Sequence, residues 1–133
     1  MGVTTEITHS MGRVIDHLVD QIPGVVGALV SSTDGFVLAS HLPAESSTDT
    51  AGMGAMSSAA IALSNRLVTT VGESPATVCH HRSDDGQVLI LPIAHLAVLT
   101  IVATPDADAA QLTLVGREAS AGLQRLFRGA ASV

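Results

Sequence analysis

Residues 18–41 read LVDQIPGVVGALVSSTDGFVLASH, and this stretch predicts the end of a helix followed by a β-hairpin. Pro23-Gly24 ends the helix, because proline lacks the N–H that a helix interior needs and glycine favours non-helical backbone. Two apolar runs follow, over 25–32 and 36–41. Between them, Asp34-Gly35 indicates a tight turn, since glycine adopts the positive φ that such turns require.

Apolar residues on either side of this hairpin recur at helical spacing. From Met11 to Ile22 they repeat every three or four positions, which is the period of one helix face. Residues 1–9 lack that period, so we expect a flexible tail there. The same reasoning predicts helices over Thr50–Val71 and from Thr104 to Gly129, and strands over Ala76–Arg82, Gln87–Leu91 and Leu96–Ala103.

Elements in the order α-β-β-α-β-β-β-α predict an α/β (α+β) fold. Strands joined by hairpins give a five-stranded, mostly antiparallel sheet, and we expect helices on both of its faces. Leu96–Ala103 is apolar on both sides and is predicted to be central, whereas the more polar Ala76–Arg82 is predicted to lie at an edge. We expect one domain over residues 10–128, with a short C-terminal tail over 129–133.

The composition argues against several classes of protein. Hydrophobic residues make up 47% of the 133 residues and charged residues only 14%. Soluble domains average about 25% charged residues, so this surface is poor in charge and is expected to meet another chain. Six arginines and no lysines, against twelve acids, argue against binding to nucleic acid or to an anionic membrane surface.

The apolar run Val88–Ala103 is shorter than the roughly 20 residues of a membrane-spanning helix. Pro92 and His95 in its middle favour two buried strands around a turn, so no integral membrane contact is expected. The single cysteine, Cys79, excludes an intrachain disulfide and suits a reducing compartment. Because residues 1–10 lack the basic-then-apolar order of a signal peptide, we expect a cytoplasmic protein.

Motifs that carry enzyme chemistry are missing from the sequence. A P-loop needs a lysine, which the chain lacks, and neither a GxSxG elbow nor an HExxH pair occurs. His80 and His81 are adjacent in a predicted strand, so their rings point to opposite faces and do not share a metal ion. We therefore expect no enzyme activity, no catalytic residue, no cofactor and no metal site.

Two features indicate binding to other proteins. Helix Thr50–Val71 is apolar or small nearly all round, with Arg66 as its one ionic side chain. We expect both of its faces to be covered, one of them by a partner, because a surface helix normally has a charged face. The second feature is a row of arginines on the last helix, Arg117, Arg125 and Arg128, which either flanks a partner surface or forms a solvated face near the helix C-terminus.

The sequence resembles the roadblock/LC7 family. The similarity rests on the hairpin of residues 18–41, the Ser/Met/Ala-rich helix after a short polar loop, the run VLILPIAHLAVLTIVA over 88–103, and the closing amphipathic helix. It covers about residues 8–128, and its most specific part is the run from Pro23 to Gly35. The chain is similar above all to the bacterial roadblock proteins of actinomycete conservon operons, which implies a roadblock, or profilin-like, fold.

Roadblock proteins are noncatalytic dimers, so the resemblance implies a homodimer. Such dimers pair through the second helix and the third strand, which joins two sheets into one and sets the paired helices on one side as a platform. Bacterial members bind small Ras-like GTPases and tune their nucleotide cycle, and conservon members are encoded beside a GTPase and a sensor-kinase-like protein. The resemblance therefore implies a signalling regulator or adaptor, cytoplasmic or membrane-associated through its partners.

Candidate site residues follow from this resemblance and from the two features above. We expect a dimer interface formed by Met53, Met56, Ala60, Leu63, Leu67, Thr77, Cys79 and His81. We expect a GTPase platform that includes Ser57, Ser58, Ser64, Arg66, Arg117, Arg125 and Arg128. Two other functions remain open: a small-molecule or kinase-linked sensory domain, which a closed apolar pocket would favour, and a pure scaffold subunit.

Overall fold

A computed structural model describes residues 5–43 and 49–131 of the chain. Within this part, three helices and five strands follow one another in the predicted order. The helices are α1 (Thr5–Gln21), α2 (Thr50–Val71) and α3 (Ala109–Ala131), and the strands are β1 (Val25–Ser32), β2 (Val37–His41), β3 (Cys79–Ser83), β4 (Gly86–Ile93) and β5 (Ala97–Ala103).

The strands form one sheet in the order β2-β1-β5-β4-β3, and each neighbouring pair is antiparallel. This confirms the predicted fold class. β5 lies at the centre and β3 at an edge, as predicted. β3 begins at Cys79 rather than Ala76, because the Ala76 N–H donates to the side-chain Oδ1 of Asn65, at 2.8 Å, instead of joining the sheet.

Side chains alternate between the two faces of the sheet and so build two separate cores. On one face, Leu89 and Leu99 belong to the core that the sheet shares with α1 and α3. On the other face, Ile90 and Val98 pack with Ile61 of α2. The predicted placement of helices on both faces is therefore confirmed, with α2 opposite α1 and α3.

The β1–β2 turn has the geometry that its sequence predicts. Gly35 has a φ of 94°, which places it in the left-handed region. Its N–H donates to the Ser32 carbonyl at 2.9 Å, and the Ser32 N–H donates to the Phe36 carbonyl at 2.8 Å. The turn leaves the Phe36 side chain 72% exposed beside α2.

The start of α1 differs from its prediction. The helix begins at Thr5, so the predicted tail is wrong for residues 5–9, while residues 1–4 lie outside the described part. The apolar period starts later than the helix, because the first two turns contribute little to the core. Most of the predicted loop after β2 falls on residues 44–48, which also lie outside the described part.

The ends of α3 also differ from their prediction. The helix starts at Ala109 rather than Thr104, because the Oδ1 of Asp108 accepts the N–H groups of Ala110 and Gln111 and caps it there. It continues through Gly129 to Ala131, so the predicted C-terminal tail is wrong for residues 129–131. Glycine lowers helix propensity without forcing a stop, and here the helix runs on past it.

A buried glutamine ties the edge of the sheet to the start of α3. The Nε2 of Gln87, on β4, donates to the carbonyls of Thr104, Pro105 and Ala107, at 3.0, 3.4 and 2.9 Å. Its Oε1 lies 2.7 Å from the Nε2 of His80, on β3. Because an amide oxygen only accepts, that histidine nitrogen carries the hydrogen. These bonds hold the loop between β5 and α3 against the sheet.

No helix of the described residues has both the length and the apolar character needed to cross a membrane. The apolar run Val88–Ala103 forms most of β4 and all of β5, with a turn between them, as predicted. In that turn Ala94 has a φ of 49°, and it is the one non-glycine residue of the described part with left-handed backbone.

Gly24, just after α1, is expected to accept no side chain. Its φ is 85°, and a Cβ there would lie 2.5 Å from the Cβ of Ala107. We expect Gly24→Ala to lower the free energy of unfolding by more than about 2 kcal/mol, from left-handed backbone and overpacking together. Gly12→Ala is the control, since its Cβ would meet nothing within 4 Å and alanine favours a helix. Urea denaturation measures both, and equal stabilities would contradict this expectation.

Candidate functional site

Helix α2 has its small and polar residues on the inside. The residues buried against the sheet are Gly54, Ser57, Ser58 and Ile61. The large side chains point away from the sheet, and Met56, Leu63 and Leu67 are 63%, 61% and 64% exposed. A surface helix normally has the reverse arrangement, with its apolar stripe on the core. This helix therefore presents an apolar surface that its own chain does not cover.

Hydrogen bonds hold the polar side of α2 to the sheet. The Ser58 hydroxyl donates to the Ser32 carbonyl at 2.8 Å and lies 3.3 Å from the Oγ of Ser31. Nearer the end of the helix, the Cys79 thiol donates to the Oγ of Ser64 at 2.9 Å. Because these buried hydroxyls have partners, their burial costs little.

The backbone of α2 also lies very close to the β1–β2 hairpin at Gly54. A Cβ on Gly54 would lie 2.7 Å from the Cγ2 of Val37 and 2.9 Å from the Gly35 carbonyl, so only glycine fits there. Between α2 and the central strand, the Thr100 hydroxyl is fully buried and has no hydrogen-bond partner among the described residues. The contact between α2 and the sheet is thus tight and partly polar, with Ile61 as its main apolar anchor.

The exposed surface of α2 divides into two flanks by helical spacing. One, the apolar flank, consists of Met53, Met56, Ala60, Leu63 and Leu67. The other, the alanine flank, consists of Ala51, Ala55, Ala59, Ala62 and Arg66. Ala51 and Ala55 line a cavity with the turn residues Asp34–Val37, so the alanine flank faces that end of the sheet. The apolar flank, across the helix axis, faces the opposite end.

Towards that opposite end, the α2 face of the sheet carries an apolar patch that is only partly covered. This valine row consists of Val26, Val88 and Val102. Val88 pairs directly with Val102 on one side and with His81 on the other, and Val26 lies at the β1 bulge beside Val102. Val26 is 39% exposed, and the other two valines are half-buried. The apolar flank and the valine row together form one apolar corner.

The edge of the sheet next to this corner is open. β3 is the outermost strand, and all its side chains except Cys79 are exposed. An open edge has unpaired N–H and C=O groups that favour pairing with another strand. Because α2 already reaches β3 at Ser64, and the segment before β3 at Asn65, we infer that its last turns, which include the exposed Leu67 and Val71, extend beyond the edge.

The structure brings together most residues of the predicted dimer interface. Met53, Met56, Ala60, Leu63 and Leu67 share the apolar flank, and Thr77 and His81 are exposed along the β3 edge. Cys79 differs from the others, because its side chain is buried beneath α2 and bonded to Ser64. Whether these surfaces form a dimer interface stays a prediction.

The predicted GTPase platform does not form one surface. Ser57 and Ser58 are 3% and 6% exposed beneath α2, so their assignment to an accessible platform is wrong. Ser64 is half-buried and engaged by Cys79, and Arg66 is exposed on the alanine flank. The other predicted members are exposed on α3: Arg125 and Arg128 belong to the helix on the opposite side of the sheet from α2, and Arg117 lines a cavity at the end of the sheet together with Asn65 of α2.

The valine row and Gln87 were not among the predicted site residues. In these strands neighbouring residues are both apolar, as in Val88 with Leu89 and Ile101 with Val102. Since neighbours point to opposite faces, this pattern could have predicted a second apolar face at that end of the sheet. Nothing in the sequence shows that α2 leaves this patch partly uncovered. Residues 5–43 and 49–131 contain no group of three His, Cys, Asp or Glu able to hold a metal ion.

The Roadblock/LC7 domain model matches residues 11–103, which is more than half of the chain. The chain belongs to the roadblock/LC7 family. No curated protein matches it in a sequence comparison.

Solved structures of this fold superpose on nearly the whole chain. A Roadblock/LC7 domain from Streptomyces avermitilis has 21% identity and a TM-score of 0.74, covering 92% of this chain and 98% of its own. Myxococcus xanthus MglB has 16% identity and a TM-score of 0.85, covering 97% and 96%. MglC from Myxococcus xanthus has 15% identity and a TM-score of 0.63, covering 87% and 98%. At these identities the likeness shows a shared fold.

Ser57 provides a test of which side of α2 faces inward. We expect Ser57→Arg to lower the free energy of unfolding by about 3 kcal/mol or more, because it buries a charge without a partner. Ala62→Arg is the control on the exposed alanine flank, where we expect a change within about 0.5 kcal/mol. Thermal denaturation followed by circular dichroism measures both. A Ser57→Arg variant as stable as the parent would show that this face of α2 is not buried.

Proposed function

We propose that the protein is a noncatalytic homodimer that binds a small Ras-like GTPase and regulates its nucleotide cycle in a bacterial signalling system. The observation that carries the dimer is the apolar corner formed by the apolar flank of α2 and the valine row. The GTPase partner follows from membership of the roadblock/LC7 family and from the resemblance to bacterial members of it.

A second copy of the chain would cover the apolar corner, which water otherwise contacts. Antiparallel pairing of two β3 edges would extend the sheet across both copies and bring the two α2 helices side by side. Each overhanging end of α2, with Leu67 and Val71, would then lie over the other copy's sheet. Burial of Met56, Leu63 and Leu67 contributes about 1–2 kcal/mol for each side chain, which helps to offset the entropic cost of association.

The alanine flank stays accessible in such a dimer, because it lies across α2 from the apolar flank. We infer that the GTPase docks on the paired alanine flanks, with Arg66 as their charged member and the exposed Phe36 beside them. Small side chains let a partner approach the helix closely, and an exposed aromatic ring offers an anchor of the kind that dominates interface energetics. This surface replaces the predicted platform, which included buried serines.

Regulation without catalysis fits the chemistry of the sequence, which has no P-loop and no lysine. On this proposal the dimer acts by binding one conformation of the GTPase better than another, and so shifts its nucleotide cycle. We propose a cytoplasmic location, with a sensor-kinase-like protein of the same operon as a further partner.

The sensory alternative has one feature in its favour, a groove of about 550 Å³ between α1 and α3. Val14 and Leu18 on α1 and Val115 on α3 make its floor apolar, and Arg13 and Glu118 lie on its sides. The groove opens to solvent, whereas the apolar corner leaves large side chains exposed and needs a cover. We therefore place the dimer and its GTPase first. A GTPase that binds with no change in its nucleotide cycle would favour the scaffold alternative.

Leu63 tests the dimer. We expect Leu63→Glu to convert a dimer into monomers at micromolar concentration, because the contact would then bury an unpaired carboxylate. Ala62→Glu is the matched control, since it introduces the same charge one residue away on the alanine flank. Light scattering measures the mass of each variant, and circular dichroism checks the fold. A parent protein that is monomeric throughout would refute the dimer.

Ala62 also tests the GTPase surface. We expect Ala62→Arg to leave the dimer intact and to weaken GTPase binding at least about tenfold, because a long charged side chain would stand in a desolvated contact. The matched control is Ala121→Arg, which is exposed on α3, on the other side of the sheet. Surface plasmon resonance with a Ras-like GTPase of the same operon measures binding. Equal affinity of the two variants would place the docking surface elsewhere.

A further inference from the structure

A pocket beside the β3 edge is lined by groups that donate hydrogen bonds. It has a volume of about 530 Å³ and lies between the end of α2, the segment before β3, the β4–β5 turn and α3. Four of its lining residues offer a guanidinium, an imidazole, an amide and a hydroxyl group: Arg117, His95, Asn65 and Thr77. No carboxylate lines it. We call these four residues and the cavity between them the arginine pocket.

The charge of the arginine pocket is not neutralised by the described part of the chain. Among the described residues, the ion pair that forms joins His41 to Asp16 and does not involve Arg117. No described carboxylate therefore lies within 4.0 Å of the Arg117 guanidinium. Asn65 has its Oδ1 engaged by the Ala76 N–H, which fixes the orientation of its amide. A positive pocket in a chain of net charge -6 suits an anionic occupant.

The same chain presents an acidic group of complementary size at the other end of β3. Asp84 and Asp85 form the two-residue turn between β3 and β4, and both are exposed. Neither forms an ion pair within the described residues. The turn is held in shape by the Ser83 hydroxyl, which accepts the Asp85 N–H at 3.2 Å. The β3–β4 turn therefore presents two carboxylates close together, on a backbone that the Ser83 hydroxyl stabilises.

Strand geometry brings these two groups together across a two-fold axis. Consider two copies whose β3 strands pair antiparallel about a two-fold axis, with all five residues of each strand taking part. The axis then passes at His81, and Cys79 lies opposite the partner's Ser83. The partner's β3–β4 turn follows directly on its Ser83, so in this register the turn lies just beyond Cys79, beside the segment that contains Thr77. Thr77 lines the arginine pocket, so the acidic turn of the second copy arrives at its mouth.

We propose that the arginine pocket receives the carboxylates of the β3–β4 turn from a second copy of this chain, with Arg117 pairing with the partner's Asp85. The symmetry of the dimer gives two such ion pairs. Each pair sets the register of the two edge strands, since a slip along the edge moves the acidic turn away from the guanidinium. This inference rests on the proposed dimer and specifies how its edges align.

Exchange of charges tests the ion pair. We expect Asp85→Arg and Arg117→Asp each to raise the dimer dissociation constant about tenfold, because two symmetry-related pairs are lost. The variant with both changes is expected to dimerise within about threefold of the parent, since the charges are exchanged and the pairing is kept. Sedimentation equilibrium measures the constants. The control is Arg125→Asp, which lies on α3 outside the pocket and is expected neither to weaken the dimer nor to rescue Asp85→Arg.

Disulfide trapping tests the register without relying on charge. In a Cys79→Ser background, His81→Cys is expected to form a disulfide between copies under mild oxidation, because the two residues at the centre of the strand pair lie directly opposite each other and have Cβ atoms close enough to bridge. Asp106→Cys in the same background is the control and is expected to stay reduced. Non-reducing electrophoresis with mass spectrometry identifies the linked pair.

The outcomes separate this inference from the proposed function. A parent that never dimerises overturns the dimer and this inference with it. A dimer that Leu63→Glu dissociates, but that shows neither charge rescue nor the His81→Cys disulfide, keeps the proposed function and overturns the ion pair. Circular dichroism confirms that each variant is folded, and if Arg117→Asp unfolds, the disulfide result decides.

Discussion

Helix α2 is held to its own sheet by hydroxyl groups and by close backbone contact, and the other features of the molecule depend on this. Gly54 and the buried serines allow the helix to lie close to β1 and β2, and Ser58 uses the Ser32 carbonyl to satisfy its hydroxyl. Because small residues occupy the inner side, the large apolar side chains lie on the outer side. The surface that results is apolar, although the chain that carries it has a net charge of -6.

Most of the fold could be predicted from the sequence because hydrophobic periodicity and turn chemistry agree. The spacing from Met11 to Ile22 indicates a helix, and Asp34-Gly35 between two apolar runs indicates a hairpin turn. The apolar run over 88–103 is too short to span a bilayer as a helix. Errors occurred at helix ends, where local capping decides. Asp108 delays the start of α3, and Gly129 does not end it, since glycine lowers helix propensity without forcing a stop.

The candidate site was less predictable, for a physical reason. Helical spacing correctly grouped Met53, Met56, Ala60, Leu63 and Leu67 on one side of α2, but spacing alone does not show which side meets the sheet. Ser57 and Ser58 were expected on an accessible platform from the family resemblance, whereas here their small size places them against the sheet. The separation of Arg125 and Arg128 from α2 depends on which face of the sheet α3 covers, and that is a property of the whole topology.

The bonds of Gln87 link two parts of the molecule that lie on different layers. Its amide accepts from His80 on the edge strand and donates to the three carbonyls that lead into α3. Since the Nε2 of His80 carries the hydrogen, its Nδ1 is the nitrogen left to accept a bond on the neutral ring. Any strand that docks on β3 and reorients this ring therefore also changes a hydrogen bond of the side chain that holds the loop before α3. The edge strand and the loop that leads into the far helix layer thus share one side chain as a hydrogen-bond partner.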